Sequence, residues 1–415
     1  MGYVRSLRCR ECGAEYAPLR ITVCERCFGP LEVAYELEAV REAFTREGLA
    51  HRPRTLWRYR ELLPVVEDGA RVDMQPGYTP LRRAGNLEEV LGLREVWVKD
   101  DTVNPTYSFK DRPVAVAVAK AREWDLEAVG CASTGNLAGA TAAAAAAAKA
   151  KLPCYVFVPA SLEETKLLLP RLYGATVVPV DGTYDDANRV ALLAADRRGW
   201  GFVNINIRPY YAEGSKTLLF ETWEQLGFDL PDVLVTPLGS GLLLTSVDKA
   251  IRELKDIGQV DGQATRIVGT QPEGCAPIVR GFESKDGRPV PVKRPDTIAE
   301  SLAIGDPASG HEAIQIMRRT GGFADAPSDA EIVEAQKLLA RTEGVFAEPA
   351  GGVTLAALRR ALADGRIDPS ERVVLLVTGN GLKAMHVMHS EFPKIPPVAP
   401  SPAAVDAFLG GIPHG

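Results

Sequence analysis

A lysine at the start of a helix is poorly placed, because the first turn carries partial positive charge. Lys110, in the stretch NPTYSFKDRP at 104–113, is such a lysine. There the dipole, helped by any burial, favours the neutral amine, the form that makes a Schiff base or abstracts a proton. The plainer alternative is a solvated lysine paired with Asp111. Asn104 and Pro105 turn the chain ahead of it, and Ser108 is placed to cap a helix expected over 113–124.

Three further turns carry groups of similar interest. In ASTGNLAGA, 132–140, the residues Ser133, Thr134, Gly135 and Asn136 offer hydroxyls, an amide and free backbone N–H groups to a carboxylate, or serve only as a helix cap. In PLGSGLLLT, 237–245, Gly239 and Gly241 let the backbone fold closely round a phosphate at a helix N-terminus, or simply turn. The spacing matches neither the dinucleotide GxGxxG nor the GxxxxGK[ST] of nucleotide hydrolases. In VTGNGLK, 377–383, Thr378 ends a very apolar strand, where a hydroxyl can bond a heteroaromatic nitrogen without protonating it; an ordinary strand-end turn is the alternative.

A different chemistry stands at the N-terminus. Cys9, Cys12, Cys24 and Cys27 form two CxxC pairs separated by eleven residues. Each pair sets two thiolates on one side of a tight turn, and two such turns make the sulfur cage of a structural zinc ribbon. Four thiolates leave no open position, so catalytic zinc is not expected; reduced cysteines in a metal-free ribbon are the alternative. Cys131, Cys154 and Cys275 are scattered and read as small buried apolar residues.

The elements that must position these groups alternate. EVWVKDD, AVGCAS, CYVFVP, ATVVPV, VLVTPL, RIVGTQ and VVLLVTG read as strands, with helices between them at 137–150 and about 162–173. The strands lack polar alternation and most are followed by a helix, which implies parallel sheets covered on both faces. In such sheets ligands gather beyond the carboxyl ends of the strands, where all four turns fall. The 415 residues suggest two or three units. An apolar share of 46% with 25% charged residues indicates a globular chain, and no run approaches the length of a membrane span. With a net charge of −6 and interspersed signs, no nucleic-acid-binding face is expected. A cytoplasmic protein acting on a small molecule is.

Taken in order, GYTPL, NPTYSFKDR, STGNLAG, EGSKT, PLGSGLLLT, TIAESLAIGDPAS, EGVFAEPAGG and VTGNGLK resemble the blocks of the fold-type II pyridoxal-phosphate enzymes, nearest to the threonine synthase family. The resemblance implies two three-layer α/β domains with parallel-rich sheets behind a small N-terminal zinc ribbon. The expected division is 1–35 for the ribbon, 36–105 with 215–395 for a large cofactor-binding domain, 106–214 for a small mobile domain, and 396–415 for a Pro-rich tail. It further implies that Lys110 forms the Schiff base with pyridoxal phosphate, that Asn136 bonds the cofactor's 3′-oxygen, and that Gly239, Ser240, Gly241, Leu242 and Leu243 hold its phosphate. Thr378 would face the pyridine nitrogen.

The implied reaction converts O-phospho-L-homoserine and water to L-threonine and phosphate, in a homodimer. The Ser133–Thr134–Asn136 turn would hold the substrate carboxylate. One segment departs from the family's pattern: the place of an arginine expected on the substrate phosphate falls on Tyr211, with Arg208 three residues earlier. Ser108, Arg208 and Tyr211 are thus the residues expected to face the substrate side chain. They leave open a β-replacement or elimination enzyme, such as a cysteate synthase joining phosphoserine and sulfite or a threonine or serine dehydratase. A non-enzymatic ribbon scaffold is disfavoured by the joint presence of Lys110, Asn136, the glycine loop and Thr378.

Overall fold

A computed structural model describes residues 2–148, 152–262, 264–389, 391–392 and 394–410. Thirteen strands form three sheets among these residues. The first sheet holds β1 (Val4–Cys9), β2 (Glu15–Tyr16) and β3 (Leu31–Tyr35) in the order β2-β1-β3, all antiparallel.

The largest sheet contains β4 (Leu81–Arg83), β5 (Glu95–Asp100), β10 (Val233–Pro237), β11 (Arg266–Thr270), β12 (Ala324–Asp325) and β13 (Arg372–Val377). Its order is β12-β11-β10-β13-β5-β4, and only the β4 edge runs antiparallel. Successive residues of β13 enter opposite cores: Val373, Leu375 and Val377 one, Val374 and Leu376 the other. Burial on both faces is why these strands show no polar alternation. The third sheet, of β6 (Val129–Ala132), β7 (Cys154–Pro159), β8 (Thr176–Val180) and β9 (Gly201–Phe202), is wholly parallel in the order β8-β7-β6-β9.

Strand positions follow the sequence closely, and the helices differ in instructive ways. The helix expected over 113–124 spans Asp111–Glu123 and is buried through Ala121. Its acidic first turn and its Lys120 and Arg122 near the end match the dipole. The residues that pack it are small, so neighbouring helices come close. A Cβ added to Gly214, in the helix Arg208–Gln225, would collide with the carbonyl oxygen of Arg112. The alanine-rich helix is Asn136–Ala147, and residues 149–150 of the expected span lie outside the described residues. The expected extended tail includes a short helix, Pro402–Gly410, none of whose residues is buried; 411–415 lie outside the described residues.

Ser108 does not cap the lysine helix. Lys110 itself holds the cap position with helical backbone angles, and no side chain caps it. An extra turn intervenes, with Tyr107 at φ 62°, a left-handed conformation unusual outside glycine. Two bonds hold it: Tyr107 N–H donates to Asn104 C=O at 2.7 Å, and Asn380 N–H donates to Tyr107 C=O at 3.1 Å. Ser108 instead is fully buried and accepts the N–H of Lys110 at 3.3 Å.

Candidate active site

The register of the large sheet puts the ends of β5, β13 and β10 at one level. Val377 lies beside Asp100, and Leu375 beside Val235. The chain leaving β5 and the chain leaving β13 then bond to each other. Phe109 N–H donates to Thr378 C=O at 2.8 Å, and Ser108 pairs with Gly379 in an antiparallel bridge. A third loop joins them, since Glu348 N–H donates to Gly379 C=O at 2.9 Å and Ala347 bridges to Asn380. Lys110, Thr378 and Glu348 are gathered by these main-chain bonds.

Asn136 reaches the same place from the small parallel sheet. Its Nδ2 donates to both carboxylate oxygens of Glu348, each at 3.1 Å. Lys110 is half-buried and forms no ion pair among the described residues; its Nζ lies 5.6 Å from the Phe109 ring centre. Asp111 is not its partner, because that carboxylate accepts the N–H and the hydroxyl of Thr106, both at 2.8 Å. Burial nevertheless pushes Asp111 up to about 6.

Glu348 and Lys383 are site residues that the sequence reading missed. Glu348 is buried, and burial raises its pKa against the opposing pull of the Asn136 amide and of Lys383 and Lys110. Lys383 is also largely desolvated, which lowers its pKa, with Glu348 and Asp111 the facing carboxylates. One signal pointed to Glu348. It occupies the cap of the helix Pro349–Ala363 without capping it, a position where Ser, Thr, Asp or Asn is the usual choice. Gly379 is required beside it, since an added Cβ would fall among the Glu348 carboxylate atoms.

The glycine turn after β10 closes the site on another side. Gly241 has φ 87° and begins the helix Leu242–Asp256, and a Cβ there would lie 2.7 Å from the carbonyl oxygen of Ser309. Among the described residues, the N–H groups of Gly239, Ser240, Gly241, Leu242 and Leu243 take no protein acceptor. Five free donors at a helix N-terminus suit a phosphate, so these residues fit the phosphate end of pyridoxal phosphate. Gly241→Ala is expected to weaken cofactor binding by about tenfold or more, through strain at positive φ and the Ser309 contact. A fluorescence titration of the variant with pyridoxal phosphate checks this.

Ser133 accepts the Gly135 N–H at 3.3 Å, leaving the Ser133–Thr134 turn half-buried beside Asn136. Tyr211 is buried one turn into the helix Arg208–Gln225, and the Tyr184 hydroxyl donates to Ala132 C=O just before the Ser133–Thr134 turn. Arg208, the first residue of the same helix, is mostly desolvated and donates to Ser309 Oγ at 3.4 Å. Ser309 in turn donates its N–H to Ser240 C=O at 2.9 Å, so Arg208 stands beside the glycine turn.

Away from this site, the Sγ atoms of Cys9, Cys12, Cys24 and Cys27 all lie within 4.8 Å of one another. The Cys9–Cys27 and Cys12–Cys24 pairs are each 3.5 Å apart. Thiolates in that arrangement fit a tetrahedral metal with sulfur bonds of about 2.3 Å. Cys131, Cys154 and Cys275 are buried.

The family of pyridoxal-phosphate dependent enzymes matches residues 72–379. Threonine synthase of Methanocaldococcus jannaschii is 40% identical over 378 residues, covering 91% of this chain and 92% of that protein. Threonine synthase of Methanosarcina acetivorans is 36% identical, covering 98% and 97%, and that of Mycobacterium tuberculosis is 38% identical, covering 86% and 96%. Among solved structures, the processed form of threonine deaminase isoform 2 from Solanum lycopersicum superposes with a TM-score of 0.63 at 22% identity, over 74% of this chain and 82% of that one. Its likeness bears on the fold alone. A family model matching most of the chain, with relatives 36–40% identical over most of both chains, places it in the threonine synthase family of pyridoxal-phosphate dependent enzymes.

Proposed function

We propose that this chain is a threonine synthase, converting O-phospho-L-homoserine and water to L-threonine and phosphate. The observation that carries the reading is the threonine synthase kinship at 36–40% identity over most of the chain. When bound, pyridoxal phosphate supplies the electron sink that makes the substrate's α-proton removable.

The chain's own residues do the rest. Lys110 Nζ holds the cofactor covalently and, once released, takes the α-proton and then a β-proton from the substrate. Phosphate leaves from the γ-carbon, which takes up one proton; water adds its hydroxyl at the β-carbon, a second proton returns to the α-carbon, and water's remaining proton balances the released phosphate. Asn136 bonds the cofactor's 3′-oxygen, residues 239–243 hold its phosphate and Thr378 faces its ring nitrogen. Ser133 and Thr134 hold the substrate carboxylate, while Arg208 and Tyr211 face its side chain; Ser108, fully buried, braces the Lys110 turn instead of meeting the substrate as expected. The small unit, 106–214, closes over the large one, 36–105 with 215–395, and keeps water out until the last step.

The test is to supply O-phospho-L-homoserine to the cofactor-loaded protein and assay phosphate and threonine together. Equal yields are expected. Neither product, with cofactor bound, would instead favour a β-replacement on phosphoserine.

The four cysteines hold one structural zinc in this reading, supported by their spacing and by the close cluster they form. Metal analysis is expected to give one zinc per chain. Chelation is expected to lower Tm by roughly 5 °C or more, since metal binding is folding free energy for so small a sheet. The resemblance supports a cytoplasmic homodimer, and sedimentation is expected to give twice the chain mass.

A further inference from the structure

Arg10, inside the first CxxC pair, reaches out of the cysteine cluster. Its Nη1 binds Glu312 Oε2 at 2.6 Å, and its Nε lies 3.4 Å from Glu32. Glu312 sits in the first turn of the helix Gly310–Arg319, which directly follows Ser309. Ser309 is the residue that touches both the glycine turn and Arg208.

Arg208 is unusual for a desolvated arginine. Among the described residues it has no carboxylate at ion-pair distance, and its one side-chain bond is the long one to Ser309. Burial and the nearby Arg10 both press its pKa down, while Glu312 and Tyr211 oppose them. Buried cations are normally paired. Glu312 lies in the first turn after Ser309, the residue that Arg208 touches, and its charge favours the Arg208 cation; its carboxylate is held by Arg10. The other cation near Glu312 is Arg252, already bound to Asp248 and Glu32.

We infer that Arg10 is a positioning residue for the phosphate of the substrate: by holding Glu312 it keeps Arg208 unpaired, so that Arg208 receives a phosphate beside the glycine turn. The inference rests on the reading of Arg208 given above. Without Arg10, the Glu312 carboxylate turns to Arg208 and competes with the anion. The cysteine-bearing segment, outside the catalytic sheets, thereby sets affinity for a phosphorylated substrate.

The test measures steady-state kinetics of the holoenzyme with O-phospho-L-homoserine, inhibition by inorganic phosphate, and the cofactor's own affinity. Arg10→Ala is expected to raise KM and the phosphate inhibition constant by about tenfold, the worth of one charge-assisted hydrogen bond, with kcat and cofactor affinity little changed. Adding Glu312→Gln to Arg10→Ala is expected to restore both constants, which repair of a merely structural defect would not do. Glu312→Gln alone leaves the cysteine segment untouched and is expected to bind phosphate as tightly as the wild type or tighter.

Three results overturn the inference: no change in Arg10→Ala, a loss that the double variant keeps, or weaker phosphate binding in Glu312→Gln. A loss confined to cofactor affinity would assign Arg208 to the cofactor's phosphate and overturn it too. A wild type that binds cofactor but neither turns over the phosphorylated substrate nor is inhibited by phosphate would sink the reading of Arg208 itself.

Discussion

Lys110→Ala is expected to cut turnover by about 10^4-fold or more while leaving the chain folded. Both halves of that expectation come from the geometry. The side chain forms no ion pair among the described residues, and the turn that places it is held by main-chain bonds from Phe109 to Thr378 and from Asn380 to Tyr107. Truncation thus removes the amine and little of the structure, at a stability cost of about 1 kcal/mol or less. The measurement is the visible absorbance of the cofactor-loaded variant before and after borohydride reduction, beside turnover. Loss of reducible, covalently held cofactor is expected. If the variant still carried it, Lys383, the other lysine facing Glu348, would have to be the attachment point.

The second large effect lies beneath the site, where four fully buried ionic side chains meet. Arg112, two residues beyond Lys110, binds Asp101 at 2.7 Å and Glu221 at 2.5 Å, and Lys99 binds Glu221 at 2.8 Å. Thr79 completes the set, donating to Asp101 at 2.6 Å and accepting from Arg112 at 2.9 Å. The network fastens the lysine helix to the end of β5 and to the helix Arg208–Gln225.

Breaking one partner leaves an uncompensated buried charge, so Arg112→Met or Glu221→Gln is expected to cost about 3–5 kcal/mol and to lower Tm by roughly 5 °C. Replacing Arg112, Asp101, Lys99 and Glu221 together by apolar residues of similar size is expected to cost less than either single change. Thermal unfolding of the variants checks both statements, and single variants with wild-type Tm would refute the first.

The same network gives a pH dependence with a definite sign. Burial alone would raise the Glu221 carboxyl, but Arg112 and Lys99 outweigh it and hold the group down to about 2, from an ordinary 4.5. A carboxyl whose pKa is depressed by folding contributes stability that is complete above its unfolded value. That contribution is expected to fade as pH falls from 4.5 toward 2. Acid titration of Tm in wild type against Glu221→Gln isolates it, because the variant lacks the group that titrates.

Much of the site was legible in the sequence because it is built from turns, and turns are local. Glycines at 239 and 241, the Ser133–Asn136 run and the polar step after the apolar β13 each announce a strand end within a few residues. Parallel sheets then place every such end on one side, so these three signals and the Lys110 turn pointed to one site. The cap was misread for a related reason: Ser108 has the right residue type, but left-handed Tyr107 adds a turn that pair-bonds with a loop far along the chain.

What the amino-acid order determined by itself was the set of strands, the turns that follow them, the lysine at a helix start and the paired cysteines. Each depends on backbone preferences and burial patterns that span a few residues. Only the tertiary structure decided which groups face one another. Glu348 meets Asn136 across 212 positions, Arg112 meets Glu221 across 109, and Arg10 meets Glu312 across 302. Such partners are chosen by strand order, helix packing and the cost of leaving a buried charge alone, and none of these leaves a local trace.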